Sequence, residues 1–285
     1  MNTLGLHTFA IAPVWDLAAI EPQMERLRGH GVGLFEIPLL RPEEIDVAAT
    51  VAFRKKHDVE VVCSLGLPGS LDVGKRLDEA LAFMKPALEV SRAVGSAALS
   101  GVTYGTLGYT TGSGPTVHEI DGICRYLDRA ARLAAEHGLR LGIEPCNRYE
   151  THLMNRGSDA ARIIERVGAD NLFIHLDTYH MNIEEESFAA GFRDAAPYLG
   201  YVHVSEANRG VPGRGMLKWQ EAMQAMVDID YSGAITLESM NHVDRDIAAG
   251  LAVWRPVADN PGDVIEVGLP FLKNVAAEAG MQLGR

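Results

Sequence analysis

The feature that most constrains this chain is a rhythm. Eight short apolar runs recur along it: Leu4–Phe9, Leu34–Pro38, Glu60–Leu65, Ala97–Val102, Leu139–Glu144, Leu172–Asp177, Tyr201–Ser205 and Ala234–Ser239. Their spacing is roughly thirty residues, the length of one strand–helix unit. Segments with helical periodicity lie between them, among them Leu17–His30, Glu43–His57, Lys75–Val94, His118–His137 and Ser158–Val167. Gly31, Gly95, Gly138 and Gly168 follow four of these segments, where a left-handed C-cap precedes the next strand. Eight such units without a break in composition predict one α/β domain over residues 1–285, a closed (β/α)8 TIM barrel. No GxGxxG follows the first run, so an open dinucleotide-binding sheet has no positive support.

The length of 285 residues suits such a barrel, which runs to about 250 residues plus extensions. Acidic residues outnumber basic ones by 38 to 26, a net charge of −12 that argues against nucleic acid as a partner. The three cysteines, Cys63, Cys124 and Cys146, form no CxxC pair, so neither a thiolate zinc site nor a disulfide framework is indicated. No stretch reaches the ~18 apolar residues of a membrane span, and the start of the chain lacks a secretory leader pattern. Reduced thiols in a cytoplasmic protein are therefore expected.

Two stretches depart from the rhythm. Gly101–Gly114 is rich in Gly, Thr and Tyr and follows the fourth run. On the carboxyl side of a strand, a loop of that length is expected to border a pocket. The segment Asn241–Gly262 follows the eighth run and leads into a closing helix expected from Asp263 to Gly280.

The chemistry gathers at the ends of runs five to eight. Alternation places Glu144 on the face shared with Gly142, opposite Leu141 and Ile143. Run six ends in Asp177, run seven carries His203, and run eight carries Glu238; each lies on the face opposite an aliphatic neighbour. In a barrel these four groups converge on the mouth. Three buried carboxylates repel one another, and a divalent cation resolves the conflict. Glu144, Asp177 and Glu238 offer hard oxygen and His203 one nitrogen, a set that favours Mn²⁺ or Mg²⁺, with Co²⁺ also compatible. A ketose chelated through O2 and O3 has an acidified C3–H, because the cation stabilises a cis-enediolate. Glu144 and Glu238, from opposite sides, would exchange protons at C3 and invert it; one-sided transfer between C1 and C2 would give aldose–ketose isomerisation instead.

Ile143-Glu144-x-x-Asn147-Arg148-Tyr149-Glu150-Thr151, Leu176-Asp177-Thr178-Tyr179-His180-Met181-Asn182-Ile183-Glu184-Glu185, His203-Val204-Ser205-Glu206-Ala207-Asn208-Arg209-Gly210 and Leu237-Glu238-Ser239 resemble signature stretches of the ketose 3-epimerases. This group acts on D-tagatose, D-allulose (psicose) and L-ribulose and belongs to the xylose-isomerase-like barrels. The resemblance is specific from about Leu139 to Met240. It implies Mn²⁺ at Glu144, Asp177, His203 and Glu238, with Glu144 and Glu238 as the acid/base pair. It also implies that Glu150, His180 and Arg209 hold substrate hydroxyls near C1 to C3, and that the chain is a homodimer or homotetramer. Glu36 matches a strand-end glutamate of the family whose role stays open. Near Ile11 the family usually has an aromatic residue; Trp15, Tyr104 or Tyr109 are the candidates to replace that wall.

Duller readings compete. His175 shares the inward parity of Asp177 a layer deeper and reads as packing or support for a ligand. Glu206 and Arg209 could pair on a surface loop. Glu184, Glu185 and Glu186 read as a solvated helix face, and Cys146 as a small apolar filler. Three rival functions also remain: an aldose–ketose isomerase of the same superfamily, an abasic-site endonuclease needing more histidines and a basic face, and a non-catalytic sugar-binding barrel.

Overall fold

Each apolar run forms one strand. The computed structural model describes residues 1–284, the side chain of Asp246 excepted. Its strands are β1 (Leu4–His7), β2 (Val32–Pro38), β3 (Glu60–Ser64), β4 (Ala98–Ser100), β5 (Arg140–Ile143), β6 (Leu172–Asp177), β7 (Leu199–Val204) and β8 (Ile235–Leu237). Each pairs in parallel with the next, and β1 pairs with β8, so the predicted eight-stranded barrel closes in sequence order. β7 begins two residues before its apolar run, whereas β4 and β8 keep only three residues each. Glu144 and Glu238 therefore stand one residue past the ends of β5 and β8.

The expected helices form with local breaks. Pro22 divides the segment Leu17–His30 into Leu17–Ile20, a 3₁₀ turn Glu21–Gln23 and Met24–Gly29. The ring removes a donor and fixes φ, which suits a fresh helical start. The closing segment is likewise a π-helical turn, Val264–Gly268, running into the helix Leu269–Glu278 with Pro270 in its first turn. Gly31, Gly95, Gly138 and Gly168 all take positive φ, as the C-cap reading requires.

The barrel interior grades from apolar to charged. At its base Leu34, Val62, Phe173 and Tyr201 form an apolar layer separate from the main core between strands and helices. Phe173 fills the space that two glycines leave: a Cβ at Gly142 or at Gly200 would stand 2.6 Å from its side chain. Arg140 covers the same ring from the strand start at 4.5 Å. Above this floor the inward positions become His7, Glu36, His175, His203 and Thr236, all buried, and then Glu144, Asp177 and Glu238 at the mouth. No helix among the described residues is long and apolar enough to cross a membrane.

Candidate active site

The strand ends bring the four expected ligands together. Asp177, His203 and Glu238 offer ligand atoms within 4.8 Å of one another, and Glu144 forms a second such group with His175 and the same His203. All are buried. The Nε2–H of His203 donates to Glu36 Oε2 at 2.5 Å, and its Nδ1 faces Glu238 Oε2 at 3.5 Å. That Nδ1 is buried without a hydrogen-bond partner, the state of a nitrogen reserved for a ligand bond. Three carboxylates and one free imidazole nitrogen fit a hard divalent cation.

Arg209 supplies positive charge at the same point. Its Nη1 donates to Asp177 Oδ2 at 2.8 Å and to Glu238 Oε2, while its plane lies 4.0 Å over the Tyr179 ring. The residue adopts φ 60°. Met240 N and Ser239 Oγ both donate to its carbonyl oxygen, which helps hold the left-handed backbone in place. Arg209 thus faces the cavity, and the surface pairing with Glu206 is not found.

Glu206 turns the other way, into the protein. It accepts from the backbone N–H groups of Ala207, Gly213 and Leu217 and from the Trp219 indole, each at 2.9 Å. It ties down the loop after β7 that carries Arg209.

His180 and Glu150 reach the cavity from the β5 and β6 side. The backbone N–H of Asn147 donates to His180 Nδ1 at 3.1 Å, so the ring proton sits on Nε2. That Nε2 lies 3.8 Å from Glu144 Oε1 and 3.3 Å from the Arg209 guanidinium. Burial pushes His180 well below its ordinary range, with Arg209 adding to the effect, so it is a neutral donor. The Asn147 side-chain amide also donates to Glu150 Oε1 at 2.9 Å. Burial raises the Glu150 carboxyl to about 7 against the opposing pull of Arg209.

The two mouth glutamates are driven in opposite directions. Burial raises Glu144 well above the carboxylate range; the charge of His203 opposes this, and Glu238 and Asp177 reinforce it. Burial would raise Glu238 too, but Arg209 and His203 outweigh it and hold that carboxyl well below its ordinary value. Asp177 is raised by burial to about 6, with Arg209 pulling against it.

Glu144, Glu150, His180, His203, Arg209 and Glu238 line a cavity of about 490 Å³ that also takes in His7, Phe9, Glu36, Cys146 and Met240. The rest of its lining is mainly apolar, with Leu39, Leu65, Leu67, Leu107 and Leu251, beside Ser64 and Arg41.

The family profile described as xylose isomerase-like TIM barrel matches residues 24–274. The chain is 34% identical over 275 residues to an L-ribulose 3-epimerase of Methylomonas sp. (strain DH-1), covering 94% of this chain and 96% of that one. It is 32% identical over 269 residues to a ketose 3-epimerase of Arthrobacter globiformis, covering 90% and 91%. The chain belongs to the ketose 3-epimerase family. Like its relatives it is an enzyme of the isomerase class. The crystal structure of a D-allulose 3-epimerase from Methylomonas sp. in complex with D-allulose matches it with a TM-score of 0.88 at 32% identity, over 96% of each chain.

Within this ketose 3-epimerase fold, some expectations need correction. Trp15 does not wall the cavity: it donates to Thr50 Oγ1 at 2.9 Å and packs against Phe35 and Phe53. Tyr104 is buried with its hydroxyl on Met154 O, and Tyr109 lines a separate cavity of about 320 Å³. Phe9 and the leucines make the wall instead. The loop Gly101–Gly114 does border the pocket, through Gly101, Val102 and Leu107. Glu184 is no solvated face: it is buried and accepts from Arg148 at Nε (3.0 Å) and Nη2 (2.9 Å). His7 and Asn147 were not among the expected site residues. The inward parity of His7 on β1 and its strand-end position were the available signals.

Proposed function

We propose that this chain is a metal-dependent ketose 3-epimerase that inverts C3 of a free ketose such as D-tagatose, D-allulose/D-fructose or L-ribulose. The observation that carries the reading is the convergence of Glu144, Asp177, His203 and Glu238 at one barrel mouth, with the buried His203 Nδ1 left without a hydrogen-bond partner. Glu238 removes the C3 proton from one side of the sugar, and Glu144 returns a proton from the other; the reverse reaction exchanges the roles. Glu144, Asp177, His203 and Glu238 would hold the cation, Mn²⁺ by preference and Mg²⁺ or Co²⁺ as alternatives. When bound, it polarises the ketose carbonyl and acidifies the C3–H. Arg209, the Nε2–H of His180 and Glu150 hold the oxygens of the C1 to C3 end. Glu36 fixes the ring of His203 from beneath.

The three free cysteines agree with a reducing cytoplasm. The exposed Tyr149, Met216 and Trp254 are compatible with a homodimer or homotetramer.

The test is a panel of ketotetroses, ketopentoses and ketohexoses assayed with Mn²⁺ and after chelation. C3 epimers formed only with metal support the reading. Aldoses as the sole products would support the isomerase alternative, and no turnover of any ketose would refute both.

A further inference from the structure

His7 and Glu36 face each other across a gap that neither fills. The backbone N–H of Phe9 donates to His7 Nδ1 at 3.1 Å, so the ring proton lies on Nε2. That Nε2 stands 3.5 Å from Glu36 Oε1 and 4.0 Å from Glu238 Oε1. Among the described residues it makes no hydrogen bond. Glu36 uses Oε2 for His203 and for the Tyr201 hydroxyl, at 2.5 and 2.7 Å, while Oε1 is buried without a partner. His7 and Glu36 are 3% and 1% exposed, and both line the central cavity. A ring N–H only loosely engaged at 3.5 Å beside a buried acceptor without a hydrogen-bond partner is the complement of one hydroxyl group, which accepts and donates at once.

We infer that His7 Nε2–H and Glu36 Oε1 bind the C4 hydroxyl of the ketose and set which C4 configuration the enzyme prefers. The inference rests on the proposed epimerase reading, in which Glu238 serves C3. His7 lies on β1, next to β8, so the first sugar oxygen it meets is one carbon beyond that centre. Arg209, His180 and Glu150 occupy the opposite side, around the C1 end. Outside the groups already named, the cavity lining is mainly leucine, with Ser64 and Arg41 as its remaining polar side chains. A site built to satisfy a hydroxyl discriminates against a ligand lacking it, because the protein groups are then left unpaired.

The experiment compares kcat/KM for a ketose and for its 4-deoxy analogue in the Mn²⁺-loaded wild type, His7→Phe and His7→Gln. His7→Phe keeps an aromatic ring but removes the Nε2–H donor, together with the Nδ1 that accepts from Phe9 N–H. It is expected to lose at least about tenfold on the parent sugar, one lost hydrogen bond's worth, and less than about threefold on the 4-deoxy sugar. His7→Gln, which restores an amide donor, is expected to recover part of the loss and serves in its place if His7→Phe does not fold. Equal losses on both sugars, or none on either, overturn the inference. If the wild type itself fails to exchange C3, the epimerase reading falls first and takes the inference with it.

Discussion

His203 is held between two carboxylates: its Nε2–H donates to Glu36 at 2.5 Å, and its Nδ1 stands 3.5 Å from Glu238. The first bond fixes the tautomer and ring orientation, and this decides which nitrogen faces the mouth. Burial raises the Glu36 carboxyl, but its interactions with His203 above all, and with His7, outweigh this and bring it to about 2.

Removing that support should loosen the cation site. Glu36→Leu is expected to weaken Mn²⁺ binding by about 10- to 100-fold, while Glu36→Gln, which still offers an acceptor oxygen, loses less. Calorimetric Mn²⁺ titration of the chelator-stripped protein checks this directly, with no assay of turnover needed. Unchanged affinity in Glu36→Leu would show that packing alone orients the ring.

The acid/base pair predicts a matched loss. Glu144→Gln and Glu238→Gln should each lower kcat by at least about 10²-fold, the scale of general acid–base catalysis, with the far-UV circular dichroism of the wild type retained. A variant that keeps normal turnover would remove its glutamate from the mechanism.

Glu150 predicts a pH signature. Its folded-state value, about 7, lies above the ordinary 4.5, so the folded form holds the proton more tightly. Its contribution to stability is complete below the unfolded value and is lost as pH rises through about 7. Glu150→Gln should therefore flatten the decline in stability between pH 5 and pH 8 by up to roughly 3 kcal/mol. Urea unfolding of chelated wild type and variant at the two pH values reads the difference; parallel curves would contradict it.

Much of this was legible from residue order alone. Alternation within each run placed Glu144, Asp177, His203 and Glu238 inward, since period-two parity leaves little choice of face. The spacing of units fixed the barrel because parallel strands need a helical crossover between them. What escaped is long-range. Nothing local to Trp15 says that its indole donates to Thr50 outside the barrel, or that Glu184 is buried under Arg148. His7 is one inward residue on a four-residue strand, and only closure against β8 brings it near Glu238.

Glu206 illustrates the same limit and gives a stability prediction. Three backbone N–H groups and the Trp219 indole converge on its buried carboxylate. Glu206→Ala leaves all of them without a partner and should cost at least about 3 kcal/mol, since each buried unsatisfied donor costs roughly 1–3 kcal/mol. Thermal unfolding measures the loss. Because the loop also carries Arg209, KM should rise as well; a variant with the melting temperature and KM of the wild type would show that other contacts hold the loop.

The most direct test of the central claim is the position of solvent hydrogen in the sugar. The Mn²⁺-loaded protein is incubated with a substrate ketose in heavy water, and both epimers are read by NMR. The account predicts deuterium at C3 of the inverted product and none at C1. Deuterium at C1 with retention of C3, or inversion of C3 without uptake of label from solvent in either direction, would contradict it.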